Sequence, residues 1–316
     1  MRKIKDISLK DFKKTNFYQE DCLVFRGDCL KLLSNLPNEE IFDLVVTSPP
    51  YNIGKEYEKI ESLESYIENQ KIIIEKICQK LKKTGSLCWQ VGNYITSKGG
   101  EIIPLDLLLY PIFKDLGLNL KNRIIWKYGH GFHAKRRFSG RYEVILWFVK
   151  SEKDYKFNLD PIRVSQRYPG KLKKGKYSSN PKGKNPEDYW SLDCDELPNN
   201  IINTWDIPNV KSNHKEKTIH PCQFPVALVE RLVLGLTDKG DMVFDPFMGV
   251  GSSGVAALYN DRKFIGSEIQ ITYTREARER LKKALKKEEI FRKDVPVYDH
   301  KQSNLSKSPK HFKKTD

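Results

Sequence analysis

From Cys22 onward, short apolar runs alternate with segments of helical spacing. CLVFRGD reads as a short strand ending at Gly27-Asp28, and CLKLLSNLP as a short helix stopped by Pro37. FDLVVTSPPY is an almost continuous apolar run that breaks at a double proline. Such a run fits a strand buried on both faces, and Pro49 and Pro50 fix its end because proline cannot continue a central strand. Over 63–83, Tyr66, Ile67, Ile72, Ile73, Ile74, Ile77 and Leu81 recur at helical spacing, and Gly85 is the expected close of that helix. GSLCWQVG is the next strand, and 104–116 a helix with proline in its first turn. RIIWKYG and YEVILWFVK predict an antiparallel pair across the basic loop HGFHAKRRFSGR. After a long interruption, PVALVERLVLGL predicts a helix, GDMVFDPF a strand, and GVGSSGVAALYN a glycine-rich turn leading into a helix. RKFIGSEI predicts a final strand and TREARERLKKALKKEE a charged amphipathic helix. This alternation predicts an α/β fold: a doubly wound, mostly parallel sheet with helices on both faces, an antiparallel edge hairpin and a small inserted region.

The interruption sets the expected domain boundaries. Residues 1–21 are polar and basic and predict a loose arm; 22–150 and 218–290 are the two halves of one α/β domain; 291–316 form a basic tail. Residues 151–217 are rich in Lys, Arg, Tyr, Pro, Gly and Asn with little periodicity. An insert of that size in a compact domain implies a function of its own.

Composition narrows the class. The 316 residues carry 56 Lys+Arg against 41 Asp+Glu, a net charge of +15, and a pI near 9.3. A polyanionic partner is the natural expectation. Six irregularly spaced cysteines without a CxxC pair disfavour both a disulfide framework and a thiolate zinc site. The longest apolar stretches fall short of the roughly 20 residues that span a bilayer, and the first residues offer no apolar signal core. A cytoplasmic protein without a membrane role is expected.

Two constellations carry chemistry. In the first, Asp245, Pro246, Phe247, Met248, Gly249, Val250 and Gly251 follow a strand and open a helix. Glycines there let a ligand approach the backbone and the helix amides. Glu268 ends the next strand, where an acid binds ribose hydroxyls in doubly wound folds. The spacing is FxGxG rather than GxGxxG, and no phosphate-loop lysine follows, which disfavours NAD and ATP. The second constellation is Thr47, Ser48, Pro49, Pro50, Tyr51 and Asn52, again at a strand's carboxyl end. A base's exocyclic NH2 is a poor nucleophile because its lone pair is delocalised into the ring. Were such an amine to reach this loop, Ser48 Oγ and the Pro49 carbonyl could accept its two N–H bonds and favour a pyramidal nitrogen. Double proline would stiffen the loop, and Tyr51 would stack on a base held outside the duplex; the competing reading is a proline-rich turn that only ends a buried strand.

Both segments resemble the S-adenosylmethionine-dependent DNA amino methyltransferases. TSPPYN is similar to that family's [DNS]PP[YFW] catalytic loop, and DPFMGVGSSGVAA to its DPFxGxGTTxxAA cofactor loop. The catalytic loop precedes the cofactor loop with a basic segment between them, the permuted β-class order. GDCLKLLSNLP resembles the segment whose acid, here Asp28, contacts the cofactor adenine. HPCQFPVALVERLV resembles HPxxKPxxLxxxLI, which wraps the cofactor, with Phe224 at the lysine position. FIGSEI with Tyr273 resembles FIGIEIDPxY, with Gln270 for the usual Asp. The resemblance implies S-adenosyl-L-methionine held by Asp28, His220, Phe224, Pro225, Asp245, Phe247, Gly249, Gly251, Ser252, Ser253 and Glu268, no metal, and Ser48, Pro49, Pro50 and Tyr51 as the catalytic loop. It implies in-line methyl transfer to duplex DNA within a bacterial restriction–modification system, beside a cognate restriction endonuclease, by a monomer or homodimer. Ser at the first motif position is most often paired with cytosine N4, and Asp or Asn with adenine N6, so N4-cytosine is the expected target and N6-adenine the alternative.

For DNA contact, Arg136, Arg137 and Arg141 in the basic loop are candidates for phosphates. In the insert, Lys171, Lys173, Lys174 and Lys176 suit phosphates, and Arg163 and Arg167 suit guanine edges. Pro221-Cys222 invites comparison with carbon-5 cytosine methyltransferases, whose thiolate attacks the ring. Here the cysteine precedes the FxGxG turn by some 25 residues rather than following it, and it is not expected to be a nucleophile. His130 and His133 lack acidic or thiol companions at ligand spacing. A non-catalytic nucleic-acid-binding protein, or a methyltransferase for RNA or protein, are the competing classes.

Overall fold

The computed structural model describes residues 3–8, 19–54, 60–96, 100–128, 133–164, 172–174, 176–177, 180, 182–190, 207, 209–210 and 214–288. Its first half comprises β1 (Ile4–Ile7), β2 (Cys22–Arg26), α1 (Cys29–Asn35), β3 (Phe42–Thr47), α2 (Leu63–Lys80), β4 (Leu81–Val91), β5 (Asn93–Ile95), β6 (Ile102–Pro104), α3 (Leu105–Asp115), β7 (Asn119–Lys127) and β8 (Tyr142–Val149). The remainder comprises β9 (Leu172–Lys173), β10 (Lys176–Tyr177), β11 (Tyr189–Trp190), α4 (Val226–Leu236), β12 (Met242–Asp245), α5 (Ser252–Tyr259), β13 (Lys263–Glu268) and α6 (Ile271–Leu285).

Nine of these strands form one sheet in the order β1-β2-β13-β12-β3-β4-β8-β7-β11. All neighbours from β1 to β4 run parallel, while β8 is antiparallel to both β4 and β7. The central strands β3 and β12 are wholly buried, as their mostly apolar text leads one to expect, with Asp43, Thr47 and Asp245 as their buried polar positions. Leu32 of α1, Ile74 of α2 and Phe113 of α3 pack in one core layer. Val229 of α4, Ala256 of α5 and Leu281 of α6 pack in a second. The sheet is therefore doubly wound, as expected from the sequence.

Three expectations change. Residues Ile4–Ile7, read as part of a loose arm, form an outermost strand paired parallel with β2. The second helix ends at Lys80, and Gly85 lies inside β4 rather than at the helix close. There the β3–β4 register slips between Phe42 and Leu44, and a Cβ at Gly85 would lie 3.0 Å from the Phe42 carbonyl oxygen. That glycine is required by close strand approach rather than by a cap. The described parts of 151–217 are also less detached than the composition suggests. Lys156 bridges Asp43 and Asp241 at the amino ends of β3 and β12. Ile162 packs against Gly235 of α4, and β11 extends the sheet alongside β7.

Candidate active site

The strand order places the site. From β3 the chain proceeds outward through β4, and from β12 outward in the opposite direction to β13, so the adjacent β3 and β12 form a switch point where the following loops diverge. Open α/β sheets hold ligands in the crevice at the carboxyl ends of such strands. Thr47 ends β3 and Asp245 ends β12, and Thr47 Oγ1 donates to Asp245 Oδ1 at 2.6 Å. The same carboxyl accepts from the Phe247 amide at 3.0 Å and from Ser253 Oγ. Burial pushes Asp245 up to about 6, against the pull of these three donors. The residue is thus a bracket: it fixes the SPPY loop to the glycine turn.

A cavity of about 920 Å³ opens above the bracket, lined by Ser48–Tyr51 on one side and Pro246–Val250 on the other. The expected cofactor residues Asp28, His220, Phe224, Pro225, Asp245, Phe247, Gly249, Ser252, Ser253 and Glu268 all line it. Gly251 does not belong to this lining. It caps α5 at φ +77° and packs toward α6, where a Cβ would lie 3.1 Å from that of Ala277. Gly249 has φ +51°, and a Cβ there would lie 3.3 Å from His220 Nε2. His220 in turn packs against the Tyr273 ring. Glu268 accepts from the Gly249 amide at 3.1 Å and the Gln270 amide at 2.7 Å, and burial raises its pKa above the ordinary carboxylate value. Asp28 caps α1, accepting from the Leu30 and Lys31 amides at 2.8 and 3.3 Å. Arg280 of α6, which sequence reading missed, braces the glycine turn by donating to the Val250 carbonyl at 2.7 Å and to Ser252 Oγ at 3.1 Å.

The SPPY loop is held from both ends. Tyr66 Oη donates to the Pro50 carbonyl at 3.1 Å. Asn52, at φ +59°, exchanges two 2.9 Å hydrogen bonds with the backbone of Glu61. Ser48 Oγ lies 3.0 Å from Tyr51 Oη, and Tyr51 Oη reaches Glu143 Oε2 at 3.4 Å. Gln90 Nε2 also donates to Glu143 Oε2. Gln90 and Glu143 both line the cavity and were not singled out in the sequence. Glu143 is a lone acid in an otherwise apolar strand, whereas Gln90 shares β4 with Lys82, Lys83, Thr84 and Ser86 and carries no such signal.

The cavity rim is basic. Arg137, Arg141, His133 and the wholly exposed Phe138 line it from the loop between β7 and β8; Arg136 lies in the same loop but outside the lining. In the insert, Arg163 donates to Asp160 at 2.8 Å and to the Gly183 carbonyl at 2.9 Å, which engages its guanidinium within the protein. Lys174 is exposed beside the paired β9 and β10, which carry Lys173 and Lys176. Arg167, Lys171 and His130 fall outside the described residues, as does the 291–316 tail. Cys222 is an exposed thiol in the cavity wall. No helix among the described residues is long and apolar enough to cross a membrane.

A family model described as a DNA methylase, N6_N4_Mtase, matches residues 42–279. The chain is 44% identical to Type II methyltransferase M.BglII of Bacillus subtilis over 255 residues, covering 79% of this chain and 66% of the relative. It is 34% identical to DNA adenine methyltransferase YhdJ of Escherichia coli over 301 residues, covering 93% of both. Among solved structures, the cytosine-N4-specific PvuII DNA methyltransferase superposes with a TM-score of 0.61 at 20% identity, over 84% of this chain and 93% of that one, a likeness of fold. With a match that spans both loops of the cavity and most of the sheet beneath it, the chain belongs to the N6/N4 DNA methylase family.

Proposed function

We propose that the protein transfers a methyl group from S-adenosyl-L-methionine to the exocyclic N4 amine of cytosine in duplex DNA. The observation that carries this reading is the shared cavity. The SPPY loop and the glycine turn line one space, tied beneath it by Thr47 and Asp245. Its size suits a nucleoside cofactor with room for part of a second ligand. The donor set also fits this cofactor. Glu268 stands where ribose hydroxyls are bound, Gly249 leaves a cradle that a Cβ would fill, and the first turn of α5 opens at Ser252 and Ser253. The bound cofactor supplies an electrophilic methyl on a positively charged sulfur.

The chain's own part is positioning and electrostatics. Ser48 and the Pro49 carbonyl accept the two N–H bonds of the target amine, and Tyr51 offers a ring face to the flipped base. The attacking lone pair then points out of the base plane. The basic rim at Arg137 and Arg141 suits the phosphates flanking an everted nucleotide. Ser48 in the first motif position supports cytosine. The alternative, adenine N6, is favoured by the similarity to the adenine methyltransferase YhdJ. The restriction–modification setting, with a cognate endonuclease and cytoplasmic action, is part of the same reading.

The test is transfer of radiolabelled methyl from S-adenosyl-L-methionine to duplex DNA, with RNA as competitor. Incorporation into DNA is expected, unaffected by RNA. In the Ser48→Ala variant turnover should fall by about 100-fold or more, the scale seen when one transition-state hydrogen-bonding group is lost, with cofactor affinity unchanged. Parallel losses in turnover and cofactor affinity would count against the role given to Ser48.

A further inference from the structure

Glu143 has no part in the contacts just assigned, yet it sits directly behind them. It lies one position beyond the Val91–Val144 pair of β4 and β8. Gly92 at the end of β4 leaves a gap there: a Cβ on it would come 3.2 Å from Tyr51 Cε2 and 3.6 Å from Glu143 Cγ. The tyrosine ring and the glutamate chain meet over that gap. Glu143 Oε2 accepts from both Tyr51 Oη and Gln90 Nε2, and Tyr51 Oη is 3.0 Å from Ser48 Oγ.

The direction of the Ser48–Tyr51 bond decides what Ser48 shows the cavity. A hydroxyl has one proton. If Tyr51 gives its proton to Ser48, the serine proton is free to point at the base and opposes an incoming N–H. If Tyr51 gives its proton to Glu143, it can only accept from Ser48, whose lone pairs then face the amine. We propose that Glu143 is a positioning residue that sets this direction, holding Ser48 as an acceptor through Tyr51. This rests on the reading of Ser48 as acceptor for the target amine.

Gln90 Nε2 and Tyr51 Oη both donate to the Glu143 carboxyl, which favours its ionised form and keeps the proton on the phenol. Burial raises the Glu143 pKa, while the hydrogen bonds from Gln90 and Tyr51 oppose the shift. Tyr51 is pushed well above an ordinary phenol by burial and then by the Glu143 charge. Among the described residues, the other titratable or charged groups around the pair are Tyr66 beside Tyr51, Tyr128 at the end of β7, Arg141 before β8, and Cys222. When Glu143 takes a proton it can donate to Tyr51, and the chain can reverse.

The test uses the full-length enzyme with saturating duplex DNA. Glu143→Gln should lower kcat about 10- to 100-fold, with an unchanged dissociation constant for S-adenosyl-L-methionine. It should also abolish the acid limb of the kcat–pH profile, and Glu143→Asp should recover part of the rate. Tyr51→Phe keeps the ring but removes the relay, so it should show the same loss and the same missing limb, and the double variant should be no worse than either single one. Wild-type kcat in Glu143→Gln, a retained acid limb, or a matching fall in cofactor affinity would overturn the proposal. If Glu143→Gln does not fold, Tyr51→Phe decides alone by the same criteria. Failure here with wild-type methyl transfer intact removes only the role of Glu143. A wild-type enzyme that transfers no methyl to DNA removes the reading of Ser48 together with it.

Discussion

Thr47 and Asp245 are 198 positions apart in sequence and 2.6 Å apart in space. That contact gives the site its shape. Replacing Thr47 by Val keeps the branched shape but takes a donor from a buried carboxyl. A loss of about 1–3 kcal/mol in denaturant unfolding is expected, the usual cost of under-satisfying a buried polar group. A weaker affinity for S-adenosyl-L-methionine in calorimetry should accompany it, because Asp245 also holds the Phe247 amide and Ser253. Gly249 is the second residue on which the cofactor side turns. Its φ of +51° and the 3.3 Å approach to His220 make Gly249→Ala strained in both backbone and space. At least a 10-fold loss of cofactor affinity is expected by calorimetry, whereas Cys222→Ser should methylate DNA at the wild-type rate.

Elements show how far the sequence reaches. The buried strands β3, β4, β8, β12 and β13 were legible because continuous apolar text has few other uses, and the two loops were legible because proline and glycine end strands for steric reasons. The paired hairpin of β7 and β8 was legible because strands adjacent in sequence often pair across a single loop. Gly85 misled, since a glycine after a helix resembles a cap and the Phe42 carbonyl it makes room for lies on another strand. The outer strand β1 was hidden because an edge strand with IKDI text carries little apolar signal. The groups behind the SPPY loop were also hidden, because Glu143 is one acid in an apolar strand, Gln90 is one of several polar residues in β4, and sheet register sets their pairing. Helix α4 offers a test at this scale. The Glu216 carboxyl caps its first turn, accepting from the Val226 amide, and burial pushes its pKa up to about 7 despite the nearby Arg280. A carboxyl whose folded value is raised is most favourable below its unfolded value near 4.5 and loses stability as pH rises toward 7. In Glu216→Gln that loss, up to about 3 kcal/mol, should disappear. The thermal midpoint of the variant should therefore gain on the wild type between pH 5 and 8; a constant difference would contradict the assignment.

The whole molecule carries a charge of +15, and part of it is gathered on the loop at the cavity mouth. Phosphate contact releases counterions, so duplex affinity should fall linearly in log–log form with salt, with a slope near −0.9 per phosphate contacted. Arg137→Ala should weaken DNA binding and flatten that slope by about one contact, leaving cofactor affinity untouched; an unchanged slope would place Arg137 off the DNA. In the proposed reaction one loop activates an exocyclic amine toward a methyl donor held at the neighbouring strand end. The decisive measurement is to incubate the protein with duplex DNA and S-adenosyl-L-methionine, digest the DNA to nucleosides, and identify the modified base by chromatography and mass spectrometry. N4-methylcytosine is the expected product. N6-methyladenine would keep the chemistry and overturn the choice of base, and DNA with no methylated amine would contradict the reaction itself.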